Sequence, residues 1–337
     1  MISYVFKRIL KAIPLMLVLS IILFFIIGMI PGDFVDAKSN PNMSAEKIEN
    51  LKEIYGLDKP LTGRYVSWMS HAVKGDFGDS LKFSQPVSTV INTYVWNSFL
   101  LAMTAFVITL LIAIPVGITS AVKQYSGFDK VWTFIAFFTM SAPSFFLAMV
   151  LMKVFSIDLK ILPIGGMTTT GSDSAGLANA ADVIKHMVLP VITLVVLQVG
   201  SFIRYVRTSM LEVVKQDYVR TARAKGLKEK VVIYRHVLRN GLIPIVTYIG
   251  LSIPSLFAGA IITETVFVWP GIGKVAYDAI ANRDYTLLMG FNMFASSMFT
   301  AFNDGKTSAI LSLLRTLVFL IIPLLILPNI LDVSGVW

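Results

Sequence analysis

The sequence predicts an all-α integral membrane protein, and three observations carry that expectation. Hydrophobic residues make up 55% of the 337 and charged residues only 15%, where a soluble domain stays near half apolar and about a quarter charged. The apolar residues are gathered into runs of about 20, the length that crosses a hydrocarbon core. The charge that remains is sorted by segment, with Lys and Arg concentrated in three loops, the mark of loops on one side of a membrane.

Taken in order, Lys7, Arg8 and Lys11 precede the first run, Ala12 to Pro31. That run has 20 uncharged residues and ends in "IPGD" rather than at a small-residue cleavage site, so it reads as a retained first span. The stretch from Gly32 to Asn92 holds seven basic and eight acidic residues and therefore falls on the opposite side. Within it, Ser44 is a candidate helix cap, although Lys47 stands where a capping box needs Glu. Ile48, Leu51, Ile54 and Tyr55 recur at helical spacing, and Gly56 followed by Pro60 is the expected stop. The glycines of "KGDFGDS" and "LPIGG" read as turn formers. Neither stretch has the strand-to-helix context of a phosphate cradle.

Four more uncharged runs follow: Phe99 to Val122, Val131 to Met152, Met187 to Ile203 and Leu242 to Thr263. Thr286 to Phe302 is a shorter, weaker sixth, and Thr316 to Leu331 a strongly apolar seventh with Arg315 at its start. Lys123 and Lys130 lie between the second and third runs, and ten Lys and Arg against three acids lie between Arg204 and Arg239. If the spans alternate, all three basic segments share one side, which sets the N-terminus in the cytoplasm.

Several function classes drop out. The basic excess is topological, which removes the argument for nucleic acid. The chain has no cysteine and three scattered histidines, His71, His186 and His236, so no thiolate or metal-ligand spacing exists. The six spans contain no Asp, Glu, His or Lys, and an intramembrane protease, a lipid transferase or an ion-driven antiporter would need such groups. Glu264 and Lys153 flank the spans.

The segment "DYVRTARAKGLKEKVVIYRHVLRN", Asp217 to Asn240, is the candidate functional site. Asp217 complements the first turn of a helix. Val214, Tyr218, Thr221 and Ala222 form one stripe, with Lys215, Arg220 and Arg223 off it. Ala222 and Ala224 keep the helix slim, and Gly226 is its natural terminator. A second amphipathic helix, "KVVIYRHVLRN", leads into the fifth span. Such a helix suits an anionic lipid surface or a groove on a partner protein.

Extended to "GLIP", this segment resembles the loop of the first permease subunit in dipeptide and oligopeptide ABC importers, a group that includes nickel permeases. In that family the loop carries a short "EAA…G" signature forming a coupling helix on the ATP-hydrolysing subunit. Here the signature falls on Arg220, Thr221, Ala222 and Gly226, with Arg220 in place of the glutamate. Also similar to the family are "FKRILKAIPLMLVLSIILFFIIGMIPGD", "YGLDKPLTGRYVSWMSHAVKGDFGDS" and "ETVFVWPGIGKVAYDAIANRDYTLLMG".

The resemblance implies a type I ABC importer permease fold with about six transmembrane helices, or seven if the last run also crosses. It implies a first span within 1–31, an extracytoplasmic segment 32–95, and a permease core 96–294 with its coupling loop at 208–240. It also implies a multi-pass protein of the bacterial inner or plasma membrane. The implied partners are a second homologous permease, two ATP-binding cassette subunits and an extracytoplasmic peptide-binding protein. ATP would be bound by those partner subunits, since the chain has no G-x-x-x-x-G-K-[ST] motif. No catalytic, cofactor or metal residues are expected in the chain itself. Peptide is the expected solute, with nickel or another small solute as the alternative. From 295 to 337 the chain departs from the family's usual end. "NDGKTSAILSLLRTLVFLIIPLLILP" resembles a segment of a multidrug and toxin extrusion antiporter, which leaves a non-functional fusion product as a further alternative. With both late runs inserted, the C-terminus lies outside.

Overall fold

A computed structural model describes residues 2–29, 35, 44–54, 57–171 and 176–301. The expected seventh run, and Tyr55 and Gly56 at the expected helix end, lie outside the described residues. The described chain is helical apart from its turns and one short hairpin, and it divides into two compact units, 1–96 with 275–337, and 97–274.

In the first unit α1 (Ile2–Gly28) presents Leu19, Leu23 and Ile27 as a buried stripe at four-residue spacing, and it packs on α12 (Tyr285–Ala301). A side chain at Gly28 would run into Leu61 of α3 (Leu61–Ala72), so glycine lets these two helices meet. Phe24, Tyr65 and Trp68 form a ring cluster, with Phe24 edge-on to Tyr65 and Trp68 tilted against both. α2 (Ala45–Ile54) is capped as the sequence predicts, the Ser44 hydroxyl accepting the Lys47 N–H at 3.4 Å. "KGDFGDS" forms turns with Gly75 and Gly78 at positive φ, leading into a hairpin of β1 (Asp79–Ser80) and β2 (Gln85–Pro86) in which Asp79 faces Pro86. Asp284, wholly buried, holds this hairpin to the start of α12. Its carboxylate accepts the Ser80 hydroxyl at 2.6 Å, the Lys82 N–H at 3.0 Å and the Leu287 N–H at 3.1 Å.

α4 (Val87–Val122) runs across the division at 96. In the second unit it is joined by α5 (Gly127–Ser141), α6 (Ser144–Met152) and α7 (Leu177–Val214), then α8 (Asp217–Ala224), α9 (Leu238–Phe257) and α10 (Ile261–Val266). α11 (Ile272–Ala281) begins there and continues into the first unit. α4 and α7 have 36 and 38 residues, about 55 Å each at 1.5 Å per residue, far longer than the apolar runs inside them. Gly117 and Gly200 let α7 approach closely. A Cβ at Gly117 would meet Val206, and one at Gly200 would meet Ala136 and Thr139.

The third expected span is bent rather than straight. Val131 to Met152 is not one helix, because Ala142 is forced extended (φ −72°, ψ 125°) ahead of Pro143, and α5 and α6 diverge by 97°. Proline lacks the N–H to continue a helix and disfavours helical backbone in the residue before it. Among the described residues three helices are long and apolar enough to cross a bilayer, or four with this bent pair taken as one. The first run contributes a shorter apolar stretch, Met16–Gly28, and the sixth a 17-residue helix.

Candidate functional site

The basic loop folds as α8 followed by a glycine turn. α8 has eight residues, from Asp217 after Gln216 to Ala224, and is followed by Lys225 at its cap and then Gly226. Gly226 has φ +75°, the left-handed conformation that terminates helices and that glycine adopts without strain. Arg223 then makes a two-bond ion pair with Glu229 (2.7 and 3.2 Å), which closes the turn. Hydrogen bonding to the Glu229 carboxylate raises the Arg223 pKa above its ordinary value. A helical turn at Glu229–Val231 and a wider π-wound turn at Val232–Val237 lead straight into α9.

The face that α8 buries differs from the expected stripe. Val219 and Ala222 point inward, where they pack with Ala121 of α4, Val206 and Met210 of α7, and Val232, Val237 and Ile245. Tyr218 and Thr221 are exposed instead. The cause is a break in the chain: α7 ends at Val214, with Lys215 and Gln216 outside both helices, so the helical phase does not carry from Val214 into α8. Ala222, expected to face a partner, is 5% exposed and belongs to the chain's own core. The outward face is Asp217, Arg220, Thr221 and Ala224, with Tyr218 on its flank and Gly226 beyond its end. The ion pair between Asp217 and Arg220, at 3.5 Å with both side chains exposed, contributes little stability. Tyr234 and Leu227 are exposed apolar residues of the same loop.

Besides Asp284, two more acids are buried: Glu264, which the sequence placed only beside a span, and Asp129, which it did not single out. Glu264, 1% exposed, accepts the Ser98 hydroxyl at 2.7 Å, the Ala260 N–H at 2.9 Å and the Lys274 N–H at 3.0 Å. The Ser98 oxygen in turn accepts the Ile272 N–H at 2.8 Å, and the Trp269 indole donates to the Asn97 carbonyl at 3.1 Å. This carboxylate fastens α4 to the "ETVFVWPGIGK" turn and is fully engaged in doing so. Asp129, 3% exposed, pairs with Arg207 through Nε at 2.7 Å and Nη2 at 2.8 Å. The one sequence signal for it was "SGFD" ahead of an apolar run, since Ser126 caps α5 by accepting the Asp129 N–H. Among the described residues no group of three metal-ligating side chains gathers.

Residues 113–333 match the family described as the binding-protein-dependent transport system inner membrane component, and residues 1–113 match that system's membrane component N-terminal family. The chain belongs to this family. Among its relatives, an oligopeptide transport system permease protein of Bacillus subtilis (strain 168) is 37% identical over 297 residues, 88% of this chain and 93% of the relative. A putative peptide permease protein of Brucella suis biovar 1 (strain 1330) is 39% identical over 293 residues, 86% and 91%. A dipeptide transport system permease protein of Alkalihalophilus pseudofirmus is 36% identical over 317 residues, 90% and 95%. The family match takes in the whole basic loop and runs on to 333, so it includes most of the segment after 294 that the sequence set apart. Membership makes the chain a membrane component of a transport system, in keeping with its long apolar helices.

Proposed function

We propose that this chain is one of two membrane subunits of an ATP-driven importer of dipeptides or oligopeptides. The observation that carries the reading is the match to permeases named for peptide, dipeptide and oligopeptide transport, each covered by this chain over 91–95% of its length. The N-terminus and the basic loop lie in the cytoplasm, because Lys and Arg accumulate there. α8 is the element that meets an ATP-hydrolysing partner. Its outward residues Asp217, Arg220, Thr221 and Ala224, with Tyr218 beside them, enter a groove on that partner, and Gly226 lets the chain turn away at once. Val219 and Ala222 pass the displacement inward to α7. ATP is bound and hydrolysed by two such partner subunits, a homologous permease supplies the other half of the path, and an extracytoplasmic binding protein delivers peptide.

The path suits peptides of varied sequence. The apolar spans carry no acid, His or Lys, and the Glu264 carboxylate beside them is occupied by three donors. A path without free fixed charge does not select on the charge of the cargo's side chains. The test is uptake of labelled di- and tripeptides in a bacterial strain lacking its own peptide importers and expressing this chain with the subunits encoded beside it. Uptake that requires this chain, its ATPase subunits and ATP is expected. Uptake indifferent to loss of the ATPase, or none for any peptide with all subunits assembled, overturns the reading.

A further inference from the structure

The Asp129–Arg207 pair is more directional than packing between α5 and α7 requires. Asp129 sits in the first turn of α5, and its carboxylate also accepts the Tyr125 N–H at 2.9 Å, with the Thr133 hydroxyl at 3.5 Å. The planar guanidinium of Arg207 meets both carboxylate oxygens, a fork that fixes rotation as well as distance. Apolar contacts, by contrast, are non-directional and tolerate sliding. Arg207 also stands within one turn of Val206 and Met210 of α7, which belong to the same buried apolar cluster as Val219 and Ala222 of α8. One short stretch of α7 therefore shares an apolar cluster with α8 and is joined to α5 by an ion pair that is buried at its Asp129 end and partly exposed at Arg207. Tyr125, just before α5, has φ +64° and donates to the same carboxylate, so the entry of α5 is held in a single conformation.

We propose that the Asp129–Arg207 pair is the link through which movement of α8 reaches α5, and that it sets how much solute moves per ATP hydrolysed. The proposal rests on α8 being the ATPase contact. Asp129 and Arg207 are positioning residues. They touch neither solute nor nucleotide, and they act by making the start of α5 follow α7. Without the fork, α7 still moves with α8, but α5 slips against it.

The test is the complete importer in proteoliposomes, with ATP hydrolysis and peptide uptake measured on the same vesicles and assembly checked by the ATPase that co-purifies. Arg207→Lys keeps the charge and loses the fork. It is expected to assemble and hydrolyse ATP as the native complex does, with peptide moved per ATP down by about tenfold, within the usual range of coupling free energies. Asp129→Asn should do the same. Exchange of the two charges, Asp129→Arg with Arg207→Asp, should recover part of the lost ratio, which a purely structural defect would not. An unchanged ratio in assembled Arg207→Lys and Asp129→Asn complexes overturns the proposal, and so does a parallel fall of hydrolysis and uptake at constant ratio. A native complex in which changes to the outward face of α8 leave ATPase binding intact would instead overturn the reading of α8, and is scored separately.

Discussion

Val219→Ala separates the two faces of α8. Val219 is wholly buried in the apolar cluster that also holds Val206, Met210, Val232 and Val237. The substitution removes two methyl groups, each worth about 0.8 kcal/mol of burial, and leaves a small cavity that adds to the loss. A total of about 2 kcal/mol follows, which at 1.4 kcal/mol per factor of ten is roughly a 30-fold rise in transient opening of α8. The control is Arg220→Glu. That side chain is 73% exposed, so its effect on the same equilibrium stays within about 0.5 kcal/mol. Hydrogen exchange of the Lys225 and Gly226 amides, which donate to the Thr221 and Arg223 carbonyls, reads the opening directly in the purified chain. ATPase binding should show the reverse order at low temperature, where α8 stays closed, with Arg220→Glu the more damaging. Equal exchange in the native chain and Val219→Ala, or faster exchange in Arg220→Glu, would refute the assignment of inner and outer faces.

Three further outcomes are expected. Gly226→Ala meets no neighbour, since an added Cβ has open space, so its cost is the left-handed backbone alone, about 1–2 kcal/mol; tryptic cleavage after Lys225 should accelerate, and an unchanged rate would mean that the turn is not under conformational constraint. Glu264→Gln replaces one of two carboxylate acceptors with an amide donor that faces protein N–H groups, leaving a buried donor unpaired at about 1–3 kcal/mol; a lower melting temperature of the purified chain checks it, and no change would show that the tie is dispensable. In this cysteine-free chain, Ser44→Cys should react with an impermeant thiol reagent added to intact cells and Lys225→Cys should not; the opposite pattern would invert the membrane orientation. Lys225 is an exposed position of the basic loop, so its silence would report sidedness rather than burial.

The apolar runs, the cap at Ser44 and the stop at Gly226 were legible because each depends on a few consecutive residues. The lengths of α4 and α7 were not, since hydropathy detects only the part of a helix that meets lipid, and these helices continue into polar sequence. The break at Pro143 lies in plain view as "SAPS", but a count of apolar residues runs straight through it. Within the loop, composition located the site, while its inward face depended on where α7 stopped, two residues before α8 began. Nothing local announces that Asp129 meets Arg207 across 78 positions, or that Glu264 takes a proton donor from Ser98. Such pairings are decided by which helices come to lie side by side.

The bend before Pro143 carries an obligation of its own. The last carbonyls of α5 have lost the amides that a continuing helix would have offered them, and they open within a stretch whose neighbours Phe134, Phe138, Phe145 and Phe146 face outward. Bare carbonyls are not tolerated against hydrocarbon; at that depth they require protein or water beside them. Among the described residues no hydrogen bond closes the end of α5 past Ala142. The elbow is thus expected to open onto the aqueous lumen or to be covered by the neighbouring subunit, which makes it a point where assembly and solvation of the pathway become one event.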